Sequence, residues 1–397
     1  MGDRSVRRLP PNRRSSGGTT LFCSERIAGA RRRNPVACRI HLYFVVSAPL
    51  PDGHSVFAPG PRSDSDSTMP DLIVGIIDTF HPKIIETIAD SVPDGWVLSI
   101  ADGGTPDARS RALADADVAF VMAAPLPTDL LRTAGRLGFI QKLGAGVDRI
   151  DLDYCRERGI GVARLHAGNN VPVAEHTLML ILAAYRRLPV LDRQTRAGNW
   201  DKEVSRGINR QITGKTIGIV GFGAIGRMLA QMLAGFDIRI LYYDPIRAPA
   251  DVETKLRAEY MDLDALVATA DIVSLHLPLM KETAGIIDER RIAAMKPDAL
   301  LVNAARGGLV DEDALARALA RGHLFGAAID AFSKEPPIGS PLLREERTVL
   351  TPHAAGATLD NFAAIAERAV GNTKRYLAGE DLPPADLVVA PGKRAAA

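Results

Sequence analysis

The chain has 397 residues, 46% of them hydrophobic and 24% charged, which is ordinary globular composition with length for two to three domains. That excludes a disordered chain, a collagen-like fibre and a disulfide-rich miniprotein. Three cysteines (Cys23, Cys38, Cys155) cannot staple a framework, and without a CxxC or Cys/His cluster no metal is expected. The longest apolar run, Leu178–Tyr185, is less than half a membrane span, so a soluble protein of the reducing cytoplasm is expected. The net charge of +2 hides an asymmetry. Residues 1–70 hold 11 Arg, no Lys and 5 acidic residues (+6), whereas the other 327 hold 38 basic and 42 acidic ones (−4).

The head, residues 1–70, combines Arg, Pro, Ser and Gly over Arg4–Ser16 and Arg26–Arg39 with no amphipathic period, so it cannot build a core. Four readings compete. A nucleic-acid-binding arm would want Lys and interleaved aromatics; a transit peptide would be Arg- and Ser-rich in this way. A secretory signal would have to use Ile40–Leu50, far from Met1. The fourth, a disordered extension upstream of a start at Met69, is the expectation, because Asp71–Asp78 then opens the fold as a buried strand. No nucleic-acid partner is expected.

From residue 71 onward, short apolar β-branched runs alternate with helical patterns. Strands are expected at Leu72–Ile77, Val118–Met122, Phe139–Leu143, Thr216–Val220, Ile238–Tyr243, Ile272–Leu277, Leu300–Asn303, Ala327–Asp330 and Val349–Thr351. Helices are expected over Glu175–Leu188, Ile225–Leu233, Leu263–Ala268 and Glu312–Leu319. Continuous apolar strands alternating with helices indicate parallel, doubly wound sheets. Nine or more strands are too many for one small sheet, so two α/β domains are expected.

Thr216–Gly226 places Gly221, Gly223 and Gly226 in GxGxxG spacing between a strand and a helix, and a second strand ends at Asp244. Gly221 permits a tight turn, Gly223 lets backbone approach a pyrophosphate, and Gly226 allows close helix–strand packing. The helix N-terminus offers N–H groups and a partial positive charge to phosphates. Asp244 can accept from both adenosine ribose hydroxyls and would repel a 2′-phosphate, which favours NAD over NADP; Arg247 leaves some NADP tolerance open. A purely structural glycine-rich turn is the bland alternative.

Three polar residues follow expected strand ends, where open α/β sheets place ligands. They are Arg306 before Gly307-Gly308, Glu335 in Lys334-Glu-Pro-Pro337, and His353 in Val349–Gly356. Singly, they read equally as a surface ion pair, a turn residue and a capped strand end. Together, beside a dinucleotide site, they suggest hydride transfer coupled to proton transfer.

Over about residues 140–383 the chain resembles the D-isomer-specific 2-hydroxyacid dehydrogenase family. The motifs that carry this are Leu143–Asp148, Asn169–His176, the glycine fingerprint, His276–Thr283, Met295-Lys-Pro, Asn303–Leu315, Ala327–Pro336 and Pro352–Gly356, in the family's order. The resemblance implies that Arg306 binds the substrate carboxylate and polarises the carbonyl, that His353 is the acid/base, and that Glu335 holds its second nitrogen. It implies cofactor contacts at Gly221, Gly223, Ala224, Ile225, Gly226, Asp244, Leu277, Pro278, Thr283 and Ala304, with Asp330 on the nicotinamide carboxamide. Ala145 and Gly146 would hold the substrate carboxylate through backbone N–H groups, and Asn169 would lie near hinge and substrate.

The family further implies a flavodoxin-like substrate domain from residues 71–167 with 355–383, a Rossmann domain over 168–354 and a tail at 384–397. It implies a homodimer through the region of Glu175–Leu188. Formate dehydrogenases of similar sequence use Gln where Glu335 stands, so a small 2-hydroxy or 2-keto acid is the expected substrate. Phosphoglycerate-type members carry an Arg in the loop that here reads Ala123-Ala124-Pro125, and the chain ends within about 15 residues of Leu382, without space for their regulatory domain. Both observations lower 3-phosphoglycerate as substrate. An NADH-sensing, corepressor-like binding protein on the same scaffold is the alternative from another class.

Overall fold

The computed structural model describes residues 72–392 and the backbone of Val56–Phe57. The rest of the head, with Cys23, Cys38 and Met69, lies outside the described residues, as do residues 393–397. The first sheet contains β1 (Val56–Phe57), β2 (Leu72–Ile76), β3 (Trp96–Ile100), β4 (Val118–Val121), β5 (Phe139–Lys142) and β6 (Gly161–Ala163). The second contains β7 (Thr216–Val220), β8 (Arg239–Tyr243), β9 (Ala258–Tyr260), β10 (Ile272–Leu275), β11 (Leu300–Asn303), β12 (Gly326–Ile329) and β13 (Thr348–Leu350). A last strand, β14 (Leu387–Val389), returns to the first.

The first sheet runs β1-β3-β2-β4-β5-β6-β14, parallel from β3 to β6 and closed by antiparallel edges. The second runs β13-β12-β11-β10-β7-β8-β9, parallel throughout. Strands such as β4, β10, β11 and β12 are buried at every position, which is why they read as unbroken apolar runs instead of alternating ones. In each sheet the strand order reverses once, between β2 and β4 and between β7 and β10. The crevices at those reversals are where open sheets bind ligands.

All nine expected strands exist, Thr216–Val220 and Leu300–Asn303 with the expected ends and the others with ends shifted by one or two residues. Three more, β3, β6 and β9, escaped the sequence reading; β6 and β9 have three residues each, too few to show a period, and they exist because a neighbouring strand offers them hydrogen bonds. Residues 384–397, expected as a tail, are corrected by β14, which pairs with β6. It is held by buried Asp386, which accepts from His166 N at 2.8 Å and Asn372 Nδ2 at 3.2 Å. Part of the head joins in too, since the backbone of Val56–Phe57 pairs with β3.

The chain crosses between sheets twice. After β6 it enters the helix Asn170–Tyr185, which packs Leu180, Ile181 and Tyr185 into the core of the second sheet. After β13 it returns through the helix Leu359–Ala378, whose Phe362, Ile365, Ala369 and Val370 seal the first. Tyr376 stacks on Phe139 of β5 with centroids 4.5 Å apart. The two crossings touch, because Asn361 Nδ2 donates to Gly168 O at 2.8 Å. Among the described residues no helix is long and apolar enough to cross a membrane.

Candidate active site

The cofactor end begins where β7 stops. Gly221 has φ +96°, a region that only glycine enters freely, and a Cβ there would lie 2.7 Å from the backbone carbonyl of His276. At Gly226 a Cβ would collide with the carbonyl oxygen of Gly221, whereas nothing lies within 4 Å of the same point on Gly223. The helix Ala224–Met232 has no side-chain cap and no acidic residue in its first turn. Its leading amides, with Ala224 and Ile225, are therefore capped by no side chain, and no acidic residue of its own first turn offsets the positive end of the helix dipole. That cradle fits a dinucleotide pyrophosphate.

Asp244, one residue past β8, accepts from Phe222 N at 2.8 Å and Ile246 N at 3.0 Å, which fixes its carboxylate beside the turn. Arg247 is drawn off by Glu253, which it meets at 2.9 and 3.1 Å, so its guanidinium is not free for a 2′-phosphate. The expected strand Ile272–Leu277 ends early, and His276 and Leu277 instead wrap Gly221. Burial pushes the His276 imidazole down to about 4; it is neutral, bonded to Ser274 Oγ at 2.9 Å. Thr283 closes the turn after Leu277 by donating to Pro278 O at 2.7 Å and accepting from Met280 N at 2.8 Å. Ala304 is buried at the exit of β11.

The reacting end is built from three exits of the second sheet. Arg306 follows β11; buried Asn303 supports it, donating to Arg306 O at 2.8 Å and accepting from Ala305 N at 3.1 Å. Gly307 lies so close to the Phe332–Ser333 backbone that a Cβ would overlap it. His353 Nδ1 meets Glu335 Oε1 at 2.7 Å. A carboxylate can only accept, so Nδ1 carries the hydrogen and Nε2 is left to give or take a proton.

His353 has φ +53°, a left-handed conformation uncommon for a non-glycine residue. Asp330 holds it there. The Asp330 carbonyl accepts from His353 N at 2.8 Å. Its carboxylate accepts from Thr351 Oγ1 at 2.6 Å, Ala354 N at 2.8 Å and Ala355 N at 3.0 Å. His176 leans on Thr351 Oγ1 at 3.1 Å from the helix Asn170–Tyr185. Asp330 is fully enclosed. Asp330 thus positions the His353 loop through three of its carboxylate's roughly four acceptor sites.

The first sheet contributes the facing wall. Asp78, just past β2, accepts from Met122 N, Ala123 N and Ala124 N at 2.6, 2.6 and 2.7 Å, which clamps the loop after β4. A Cβ on Gly146 would overlap the Arg306 guanidinium, so the Ala145–Gly146 backbone and Arg306 converge. Two polar contacts join the walls: Arg306 Nε to Asp148 Oδ1 at 3.2 Å and Arg149 Nη2 to Glu335 Oε2 at 2.5 Å. Burial alone would raise the Asp148 carboxyl, but Arg306 beside it holds it below its usual range. Asn169 sits at the first crossing against Gly356, its Oδ1 buried without a partner.

Asp78, Asn303, Asp148, Arg149 and Thr351 were not singled out from the sequence. The signal for Asp78, Asn303 and Asp330 was present: each is a polar residue at the end of an unbroken apolar run.

Residues 178–355 match the family model for the NAD-binding domain of the D-isomer specific 2-hydroxyacid dehydrogenases. A glyoxylate reductase of Thermofilum pendens is 42% identical over 264 residues, 66% of this chain and 77% of that protein. The chain belongs to the D-isomer specific 2-hydroxyacid dehydrogenase family. Its residues 178–355, which hold the Gly221–Gly226 cradle and Asp244, are this family's NAD-binding domain, and NAD is its cofactor. A D-3-phosphoglycerate dehydrogenase of Mycobacterium bovis is 38% identical over 314 residues, 79% of this chain. The chain spans 58% of the length of that relative. An NAD-dependent formate dehydrogenase of Staphylococcus aureus, solved with NAD, shares the family fold. Its TM-score is 0.72 at 29% identity, covering 81% of this chain and 99% of that one.

Proposed function

We propose that the chain is a cytoplasmic, homodimeric NAD-dependent D-2-hydroxyacid dehydrogenase that works as a reductase of small 2-keto acids such as glyoxylate or hydroxypyruvate. The observation that carries this is the meeting of Arg306, the His353–Glu335 pair at 2.7 Å and the Gly146 backbone in one place. Arg306 would take the substrate carboxylate and polarise the carbonyl oxygen, with the Ala145 and Gly146 amides on the carboxylate from the other wall. His353 Nε2 would give its proton to that oxygen in reduction and recover it in oxidation. Glu335 fixes the imidazole's tautomer and direction, and a carboxylate here, not an amide, suits a reaction in which the ring must carry a proton.

Gly221, Gly223, Ala224, Ile225 and Gly226 would hold the pyrophosphate, and Asp244 the ribose. Leu277, Pro278, Thr283 and Ala304 would line the cofactor, with Asp330 on the nicotinamide carboxamide and Asn169 near hinge and substrate. Bound NADH supplies the two electrons of the reduction. Homodimerisation is supported by apolar side chains left in solvent on and after the first crossing helix: Val171 (46% exposed), Met179 (45%) and Leu188 (56%). Light scattering on the full chain is expected to give twice 42.5 kDa; a monomer at micromolar concentration would remove this part of the reading.

The deciding experiment follows NADH absorbance with the full chain across glyoxylate, hydroxypyruvate, pyruvate, phenylpyruvate and phosphohydroxypyruvate, repeated with NADPH. Turnover of at least one with NADH is expected. Silence across the panel with NADH bound favours an NADH-sensing binding protein. In the same assay Asp244→Ala is expected to raise the KM for NADH by roughly tenfold or more, since hydrogen bonds to a charged group are worth about 1.5–3 kcal/mol. It should also raise NADPH use relative to NADH; an unchanged cofactor ratio would place the discriminating residue elsewhere.

A further inference from the structure

Two charged groups of the second wall, Arg306 and Glu335, are met by one dipeptide of the first. Asp148 reaches Arg306 Nε at 3.2 Å, and the next residue, Arg149, reaches Glu335 Oε2 with its Nη2 at 2.5 Å. The two contacts differ in what they leave free. Asp148 takes a donor of the guanidinium that would hold the substrate carboxylate. Arg149 takes an oxygen that neither His353 nor a substrate carboxylate uses, so its contact can persist through turnover.

From its own wall Glu335 is held through Oε1 alone, by Phe332 N at 3.3 Å and His353 Nδ1 at 2.7 Å. Among the described residues Oε2 is bonded only to Arg149. A carboxylate held at one oxygen can swing, because the last torsion of a glutamate has broad wells, and the imidazole bonded to it swings with it. Holding the second oxygen fixes the carboxylate plane. The pair is unlike an exposed surface ion pair, which holds little, since the Glu335 side chain is only 18% exposed.

Arg149 is itself anchored. Its carbonyl accepts from Leu126 N at 2.8 Å and Asp151 N donates to Leu126 O at 3.1 Å, a parallel bridge at Ile150 that ties this stretch to the loop after β4. Leu126 and Ile150 are both buried. Arg149 Nη1 donates to Ala123 O at 3.3 Å, so the guanidinium is steadied from the first sheet with one donor while another crosses to Glu335. A planar fork of donors suits that double task.

We propose that Arg149 is a positioning residue for proton transfer: from the first sheet it fixes Glu335, and through Glu335 the ring of His353, so that the acid–base pair takes its working direction where the two walls meet. This role rests on the dehydrogenase reading above, and it gives closure of the cleft a chemical consequence. With the walls apart Oε2 would face water; with them together the proton moves to or from a ring of fixed direction. Arg149 touches neither substrate nor reacting atoms, so it acts on the rate and not on binding.

The test is steady-state kinetics of the full chain with NADH and whichever keto acid of the panel above the wild type reduces fastest. Wild type, Arg149→Met, Glu335→Gln and the double variant are compared. Methionine keeps an unbranched apolar stem and removes both donors; because Arg149 is half-exposed, the urea midpoint should hardly move. Arg149→Met is expected to lower kcat about tenfold, a part of the roughly 10²–10⁴-fold that an acid–base group contributes, with KM for NADH and keto acid within about threefold of wild type. Because Arg149 acts through Glu335, the losses should not multiply, and the double variant should be about as slow as Glu335→Gln alone. A kcat loss below about threefold in Arg149→Met, or losses that multiply in the double variant, would overturn the proposal. So would a loss carried by the KM for the keto acid, which would make Arg149 a substrate contact. Each of those outcomes leaves the dehydrogenase reading standing, whereas a wild type silent on every keto acid sinks that reading and the role of Arg149 with it.

Discussion

Replacing His353 with alanine is expected to cut kcat for 2-keto acid reduction by about 10²–10⁴-fold, the usual contribution of a positioned general acid–base group. NADH affinity should be nearly unchanged. The separation is geometric. The imidazole is bound through Nδ1 to Glu335 at 2.7 Å, while the cradle for the cofactor's phosphates is built from Gly221–Gly226 at the end of another strand. Because His353 has φ +53°, alanine adds backbone strain to the loss of the ring. His353→Asn is the cleaner companion, since Asn tolerates that conformation and cannot relay the proton. Stopped-flow measurement of NADH oxidation, with the NADH dissociation constant from fluorescence titration, reads both quantities. Activity surviving within about tenfold in both variants would show that the proton comes from another group.

Asp330→Ala is expected to lower both stability and turnover. The carboxylate is fully enclosed and accepts from the Thr351 hydroxyl and the Ala354 and Ala355 amides. Each donor left without a partner in the interior costs about 1–3 kcal/mol. The midpoint of urea unfolding should therefore fall well below that of the wild type. Turnover should fall further than the loss of folded protein explains, because the same bonds hold the two residues after His353. Its signature would be a reduced kcat with little change in KM for NADH. A variant with wild-type kcat per folded molecule would reduce Asp330 to a purely structural residue.

The parts of this protein legible in its sequence are those made by consecutive residues. A buried strand, the Gly221 turn and the helix Ala224–Met232 occupy 17 contiguous positions (216–232), and the steric demands of the turn are met by those same residues. Arg306, Glu335 and His353 were legible for a similar reason, since each follows an unbroken apolar run and the exits of such runs are where open sheets expose side chains.

What joins distant loops was not legible. That Asp330 holds its own chain depends on Thr351, Ala354 and Ala355, about 20 residues downstream. Lys142 and Arg149 donate to the carbonyls of Met122 and Ala123, and only the placement of β4 beside β5 brings the first of them there. β14 shows no period in its three residues, and it is a strand because β6 has an open edge. Periodicity and turn sterics act along the chain, so the sequence by itself determined the two doubly wound sheets, the dinucleotide turn and the three polar strand exits. Hydrogen-bond satisfaction and charge balance act through space, so only the tertiary structure decided which of those polar groups are spent on one another and which remain for a ligand.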